Sequence, residues 1–210
     1  MYLKNITLCL DCGGPIDSLR RFTSQGIKMD LEWKKLDEHS YKAGYKRFLK
    51  KAFSLPNGEH RDIDIKDEGK TVCIFAMTTT GSILMTRQYR PGPEKILTEL
   101  PGDYIGFDEV PIVAARTKLV EETGYEGDLE FICTSLDGAY SNMVRHNFVA
   151  KNCVKKNALH LDHVKFVEVV EMSLKNFIQH LRAGQLTNLD TGYLALDYLG
   201  IFHFNERKKE

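Results

Sequence analysis

The stretch Thr98–Gly127, "TELPGDYIGFDEVPIVAARTKLVEETGYEG", decides how the rest of the chain is read. Its opening "TELPG" predicts a short strand that ends in a tight turn at Pro101-Gly102. From about Glu109 to Thr123 the spacing predicts a helix, with Ile112, Ala115, Leu119 and Thr123 on one stripe and Gly124 as its stop. The opposite face carries Ala114, Lys118, Glu121 and Glu122. A strand end, a short loop and paired glutamates near a helix C-terminus together form a cup of oxygen donors, the kind that Mg²⁺ takes. Such an ion neutralises diphosphate charge and activates water, which cleaving a P–O–P linkage requires. Lys118 is the discordant residue. It stands four positions before Glu122 on one helical face, so its ammonium is expected beside that carboxylate, in competition with a metal.

Upstream, "LPNGE" (55–59) carries the Asn-Gly mark of a hairpin, and the alternation from Arg61 to Ile65 fits the returning strand. "TVCIFAMTT" (71–79) and "SILMTRQYRPG" (82–92) predict two core strands, broken by Pro91-Gly92-Pro93. Downstream, "DLEFICTSL" and "RHNFVAKNCV" predict strands joined by the loop Asp137–Val144, and "VKFVEVVEM" another. "SLKNFIQHLRAGQL", capped by Ser173, and "DTGYLALDYLGIF" predict amphipathic helices. Strands, a helix, more strands and two final helices predict an α/β sandwich with a mixed sheet.

At 210 residues the chain is long enough for one buried core with a small addition. Its 29 basic and 29 acidic side chains cancel, which argues against a bulk nucleic-acid or membrane-surface binder, since both use a positive field. Five cysteines, three of them in or beside apolar runs, fit reduced thiols and a cytoplasmic setting. Cys9 and Cys12 form a CxxC without a second ligand pair nearby, so two ordinary thiols are favoured over half of a zinc site.

The central stretch resembles the box of Nudix hydrolases, G-x5-E-x7-R-E-U-x-E-E-x-G-U, where U is aliphatic or bulky. Anchored on Leu119 and on Glu121 to Tyr125, the pattern places its first glutamate at Glu109. Three positions depart: Asp103 for the opening glycine, Thr117 for the arginine and Lys118 for the glutamate after it. Outside the box, "LMTRQYRPG" followed by "LTELPG", and the closing "VEVVEMSLKNFIQHLRAGQLTNLDTGYLAL", are similar to the ADP-ribose pyrophosphatase branch; the resemblance spans roughly Met29 to Leu199.

The resemblance implies a Nudix α/β/α sandwich over residues 71–205 and a small N-terminal β element over 29–70 that serves a homodimer, while residues 1–28, weak in periodicity, read as a flexible extension. It implies Glu121 and Glu122 as catalytic residues, and Mg²⁺ or Mn²⁺ held by Glu122, Glu121 and the Gly102 carbonyl, with Asp103 as an added carboxylate. The loop after Asp137 lacks the further carboxylate that this branch often carries there. Arg90, Glu99 and Arg87 are the implied contacts to a small nucleotide. Taken alone, those charges also suit strand edges, and Glu121-Glu122 a solvated helix face. His146 reads as structural, and Tyr89 and Tyr140 as core or as stacking partners for a base. Two functions stay open: metal-dependent hydrolysis of the diphosphate of a nucleoside diphosphate derivative, of ADP-ribose or nucleotide-sugar type, or a catalytically silent domain acting as a nucleotide sensor or dimeric interaction module.

Overall fold

The structure, a computed structural model, describes residues 31–106, 108–156 and 166–202. The 1–28 extension with Cys9 and Cys12, and residues 203–205 of the expected domain, lie outside the described residues. Strands β1 (Lys34–Ala43), β2 (Lys46–Ser54) and β3 (His60–Lys66) form one antiparallel sheet. The Asn57-Gly58 hairpin is present: the Gly58 N–H donates to Leu55 O at 2.9 Å and the Leu55 N–H to Glu59 O at 2.8 Å. β1 is exposed along its whole length. Trp33 meets Phe53 edge-on at 5.8 Å and Tyr41 stacks on Phe48 at 5.5 Å.

The main sheet uses β4 (Lys70–Thr78), β5 (Ser82–Arg90), β6 (Lys95–Glu99), β7 (Gly102–Ile105), β8 (Tyr125–Leu136), β9 (Val144–Lys155) and β10 (Glu168–Ser173). Its order is β10-β5-β4-β9-β8, with β6 paired to β5 and β7 to β4. The β4–β9 pair is parallel and the other pairs are antiparallel, which makes the sheet mixed. Because strand side chains alternate, β4 serves two cores. Val72, Ile74 and Ala76 pack under helix α1 (Pro111–Thr123), whereas Cys73 and Phe75 pack under α2 (Leu174–Arg182) and α3 (Leu189–Tyr198). This is an α/β/α sandwich, as expected from the sequence. Phe177 of α2 is fully buried and meets Phe75 at 5.1 Å, the kind of burial that contributes about 1.5–3 kcal/mol per side chain.

The helix expected from Glu109 starts two residues later. Pro111 takes the first helical position, where its missing N–H costs nothing, with Val110 as the N-cap. Gly124 ends it in the left-handed conformation, φ 73°, its N–H donating to Val120 O. The buried stripe also rotates relative to the sequence reading: Ala114 is buried with Ala115, Leu119 and Thr123, while Ile112 is exposed. The face read as opposite to the apolar stripe therefore leans toward the sheet at Ala114, and Lys118 follows Ala114 on it. Ser173 caps α2 as expected, accepting from the Asn176 N–H.

Candidate functional site

β7 crosses β4 at short range, with Gly102 opposite Cys73 and Asp103 opposite Val72. A Cβ at position 102 would lie 2.3 Å from the Val72 carbonyl oxygen and 2.9 Å from the Cys73 Cα, so only glycine fits. The need for glycine that the box pattern assigns to position 103 falls one residue earlier. Asp103 is an added carboxylate beside the glycine rather than its replacement. The Glu109 carboxylate accepts from the Gly106 N–H at 3.0 Å and closes the loop into α1. Thr117, in the arginine position, donates to Val113 O of its own helix at 3.1 Å.

The Glu122 carboxylate accepts from the Gly102 N–H at 3.0 Å, which ties the end of α1 to the turn that carries the candidate carbonyl. Lys118 forms ion pairs with Glu121 at 3.1 Å and, across to β7, with Asp103 at 3.5 Å. Burial works to lower its pKa, but Glu121 and Asp103 outweigh it and hold the ammonium above the usual lysine value. Lys118 is therefore charged at neutral pH.

Mg²⁺ needs several oxygens converging on one point. Among the described residues no group of three or more His, Cys, Asp or Glu side chains converges in that way. The Lys118 ammonium already bridges Asp103 and Glu121, two of the expected ligands. As arranged, the residues do not fit a divalent ion.

Beside β7 lies a cavity of about 280 Å³. Thr71, Gly102, Asp103, Asp137, Arg145 and Arg90 are among the residues that line it, with Thr187 and Asn188 at the start of α3. Arg90 Nε donates to Glu99 at 2.6 Å, and Thr187 donates to the other Glu99 oxygen, so the 1% exposed carboxylate is held by two partners. Arg87 is elsewhere, paired with Glu168 of β10 at 2.9 Å. Of the three expected contacts, Arg90 reaches the cavity, Glu99 sits behind it and Arg87 does not join them.

Sequence reading missed the largest polar assembly of this region. Arg145, buried at the start of β9, donates to Asp190 at 2.7 Å and to Asp137 at 3.1 Å. Asp190 also accepts from Ser135, and Asn147 joins Ser135 to Thr191 of α3. An arginine two residues from Asn147 on one strand, both facing inward, was the available signal. Its partner Asp190 is 45 residues away and could not be read from it. His146 points to the opposite face. Its Nε2 is buried without a partner among the described residues, and burial, with the Lys70 charge, lowers its pKa.

With that geometry in view, the comparisons with known proteins place the chain. No family model matches it. Over 148 residues, 69% of this chain and 80% of the relative, it is 32% identical to the methanol dehydrogenase activator of Bacillus methanolicus. Over the same shares it is 29% identical to the ADP-ribose pyrophosphatase of Bacillus subtilis (strain 168). A solved structure described as an ADP compounds hydrolase superposes with a TM-score of 0.68 at 18% identity, covering 81% of this chain and 96% of that one, a likeness of fold. The sandwich is thus the fold of that solved structure. The chain belongs to the Nudix hydrolase superfamily, in its ADP-ribose pyrophosphatase-like branch.

Proposed function

We propose that this protein binds nucleoside diphosphate compounds of the ADP-ribose or nucleotide-sugar type without a divalent ion at the box, and that it hydrolyses their diphosphate linkage slowly or not at all. The observation that carries this is the Lys118 ammonium bridging Asp103 and Glu121. An internal cation there supplies positive charge where the family uses a metal. Arg90 offers its two terminal nitrogens to the cavity, since only Nε is engaged by Glu99 among the described residues. A guanidinium edge of this kind grips a phosphate through parallel hydrogen bonds.

A second reading has its own support. The Glu122 carboxylate lies against the Gly102 peptide at 3.0 Å, so those two candidate ligands are neighbours. On that reading Lys118 swings out, Mg²⁺ or Mn²⁺ is held by the Gly102 carbonyl, Glu122, Glu121 and Asp103, and hydrolysis is metal-dependent. Phosphate-product release from ADP-ribose, nucleotide sugars and dinucleotides, with Mg²⁺, Mn²⁺ or chelator and with Glu122→Gln, separates the two when run beside direct binding. Chelator-insensitive binding without turnover supports the first. Metal-dependent turnover lost in the variant supports the second.

The bare β1 strand and the exposed Leu31, Trp33, Leu36 and Tyr45 support self-association through the N-terminal sheet over residues 29–70. Cys73, Cys133 and Cys153 are free thiols, which supports a reducing, cytoplasmic setting. No helix among the described residues is long and apolar enough to cross a membrane.

A further inference from the structure

Residues 137–143 join β8 to β9, and the two ends of that connection line the cavity through Asp137 and Met143. Its middle is bonded elsewhere, to residues 66–69, which lead from the N-terminal sheet into β4. The Lys66 N–H donates to Tyr140 O at 2.8 Å, the Asn142 N–H to Lys66 O at 3.1 Å and the Val144 N–H to Gly69 O at 2.9 Å. Lys66 and Ser141 form a parallel bridge, so the loop pairs with the end of β3 as a strand would.

Asn142 adds a side-chain clamp. Its Oδ1 accepts from the Glu68 N–H at 2.8 Å and the Gly69 N–H at 3.2 Å, and its Nδ2 donates to Asp67 at 2.7 Å. An exposed asparagine can satisfy itself with water, yet three of the four hydrogen bonds open to this amide run to three consecutive residues 73 to 75 positions away. Asp67 is held from the other side as well. The Arg47 guanidinium of β2 pairs with it, and the Asp67 N–H donates to Arg47 O at 3.0 Å. A connected path therefore runs from β2 through Arg47 and Asp67 to Asn142, and one residue further to Met143 at the cavity. Exposed pairs contribute little singly, but members of one network do not act independently.

Resting on the nucleoside diphosphate reading above, we propose that Asn142, Asp67 and Arg47 are positioning residues for ligand binding. All three lie outside the cavity lining. They clamp the loop that carries Asp137 and Met143 to the N-terminal sheet, so that the sheet sets one wall of the cavity. With the clamp broken, the loop spends part of its time out of place, and the apparent affinity falls with the fraction of chains that are competent.

The test is calorimetric titration of ADP into the full chain and into Asn142→Ala, Arg47→Ala, Arg47→Lys and the Asn142→Ala/Arg47→Ala double variant. The fitted Kd is the readout, because an unfolded fraction lowers the stoichiometry and leaves Kd unchanged. Asn142→Ala should raise Kd about five- to tenfold, the lower end of coupling between distant sites. Arg47→Ala should raise it about threefold, a smaller effect because one exposed pair is lost. Arg47→Lys, which keeps a charge on Asp67, should stay near the native value. The double variant should bind no more weakly than Asn142→Ala alone, since Arg47 acts through the clamp. A native Kd in either alanine variant, or a double loss equal to the product of the single losses, overturns the relay while leaving the binding reading intact. Failure of ADP to bind the native chain overturns the binding reading, and the relay with it.

Discussion

Replacing Lys118 by glutamate tests whether an internal cation occupies the box. In the native chain the ammonium has Glu121 at 3.1 Å and Asp103 at 3.5 Å, with the three side chains 22%, 52% and 32% exposed. At an effective dielectric of about 20, a pair at that range attracts by about 5 kcal/mol before desolvation and side-chain entropy are charged against it. Exposed pairs retain at most about 1 kcal/mol each. Losing both pairs and adding a like charge should therefore cost Lys118→Glu about 2 kcal/mol in chelator. The same change adds a third carboxylate near Glu122 and Asp103, so Mg²⁺ should now bind. At a hundredfold excess over its Kd the ion would return about 2.7 kcal/mol, a rise in Tm of roughly 5–11 °C for a chain of this size. The native protein should shift by less than about 1 °C under the same conditions, by the same linkage. Thermal unfolding with Mg²⁺ and with chelator at pH 7.5 decides it. Because the folded pKa of Lys118 is raised, its contribution is complete below the ordinary lysine pKa and is lost only as pH rises through the folded value, so the assay pH lies well inside the charged range. A native chain stabilised by Mg²⁺ as strongly as the variant would refute the internal-cation argument.

Gly102→Ala should destabilise the protein by about 3 kcal/mol in chemical denaturation, because its methyl meets backbone 2.3 Å away. Gly106→Ala, whose nearest contacts are ordinary at 3.6 and 3.7 Å, should cost much less. Arg90→Lys keeps charge beside Glu99 but loses the planar fork, so ADP affinity should fall about tenfold by titration, while Arg87→Lys should change it by less than about twofold. The lowered pKa of His146 means that the unfolded chain takes up the proton first as pH falls. Its stability contribution is present above the unfolded pKa of 6.5 and is lost as pH falls through the folded value. Unfolding midpoints between pH 7.5 and 5.5 should therefore drop more in the native chain than in His146→Gln.

Much of the architecture was readable because it rests on local rules. Asn57-Gly58, Pro101-Gly102, Gly124 and Ser173 each mark a boundary through backbone chemistry that needs no distant partner. The start of α1 was placed about two residues early because apolar spacing does not fix a helix end. Pro111, which can begin a helix but not continue one, sets it instead. Ala114 was assigned to the face opposite the buried stripe because hydrophobic spacing fixes a stripe only to within a residue or so. Which flank is covered depends on where β7 crosses, and that crossing requires Gly102 against β4.

The candidate site divides along the same line. Glu121, Glu122 and the discordant Lys118 could be listed from one helix, since residues three and four apart share a face. Which carboxylates the lysine engages could not. Helical spacing offers it Glu121 and Glu122 alike, and the pair to Asp103, brought within 3.5 Å by strand pairing, is visible only in the fold. Arg145, Asp137, Asp190 and Thr71 were beyond reach for the same reason. They come from β4, β9, a loop and the last helix, and a sheet that sets β4 beside β9 in parallel is what gathers them. The sequence alone therefore determined the elements and the chemical groups that the chain carries, through short-range backbone and side-chain rules. Only the tertiary structure decided which charges neutralise one another and which side chains line a cavity, because those depend on contacts between residues dozens of positions apart.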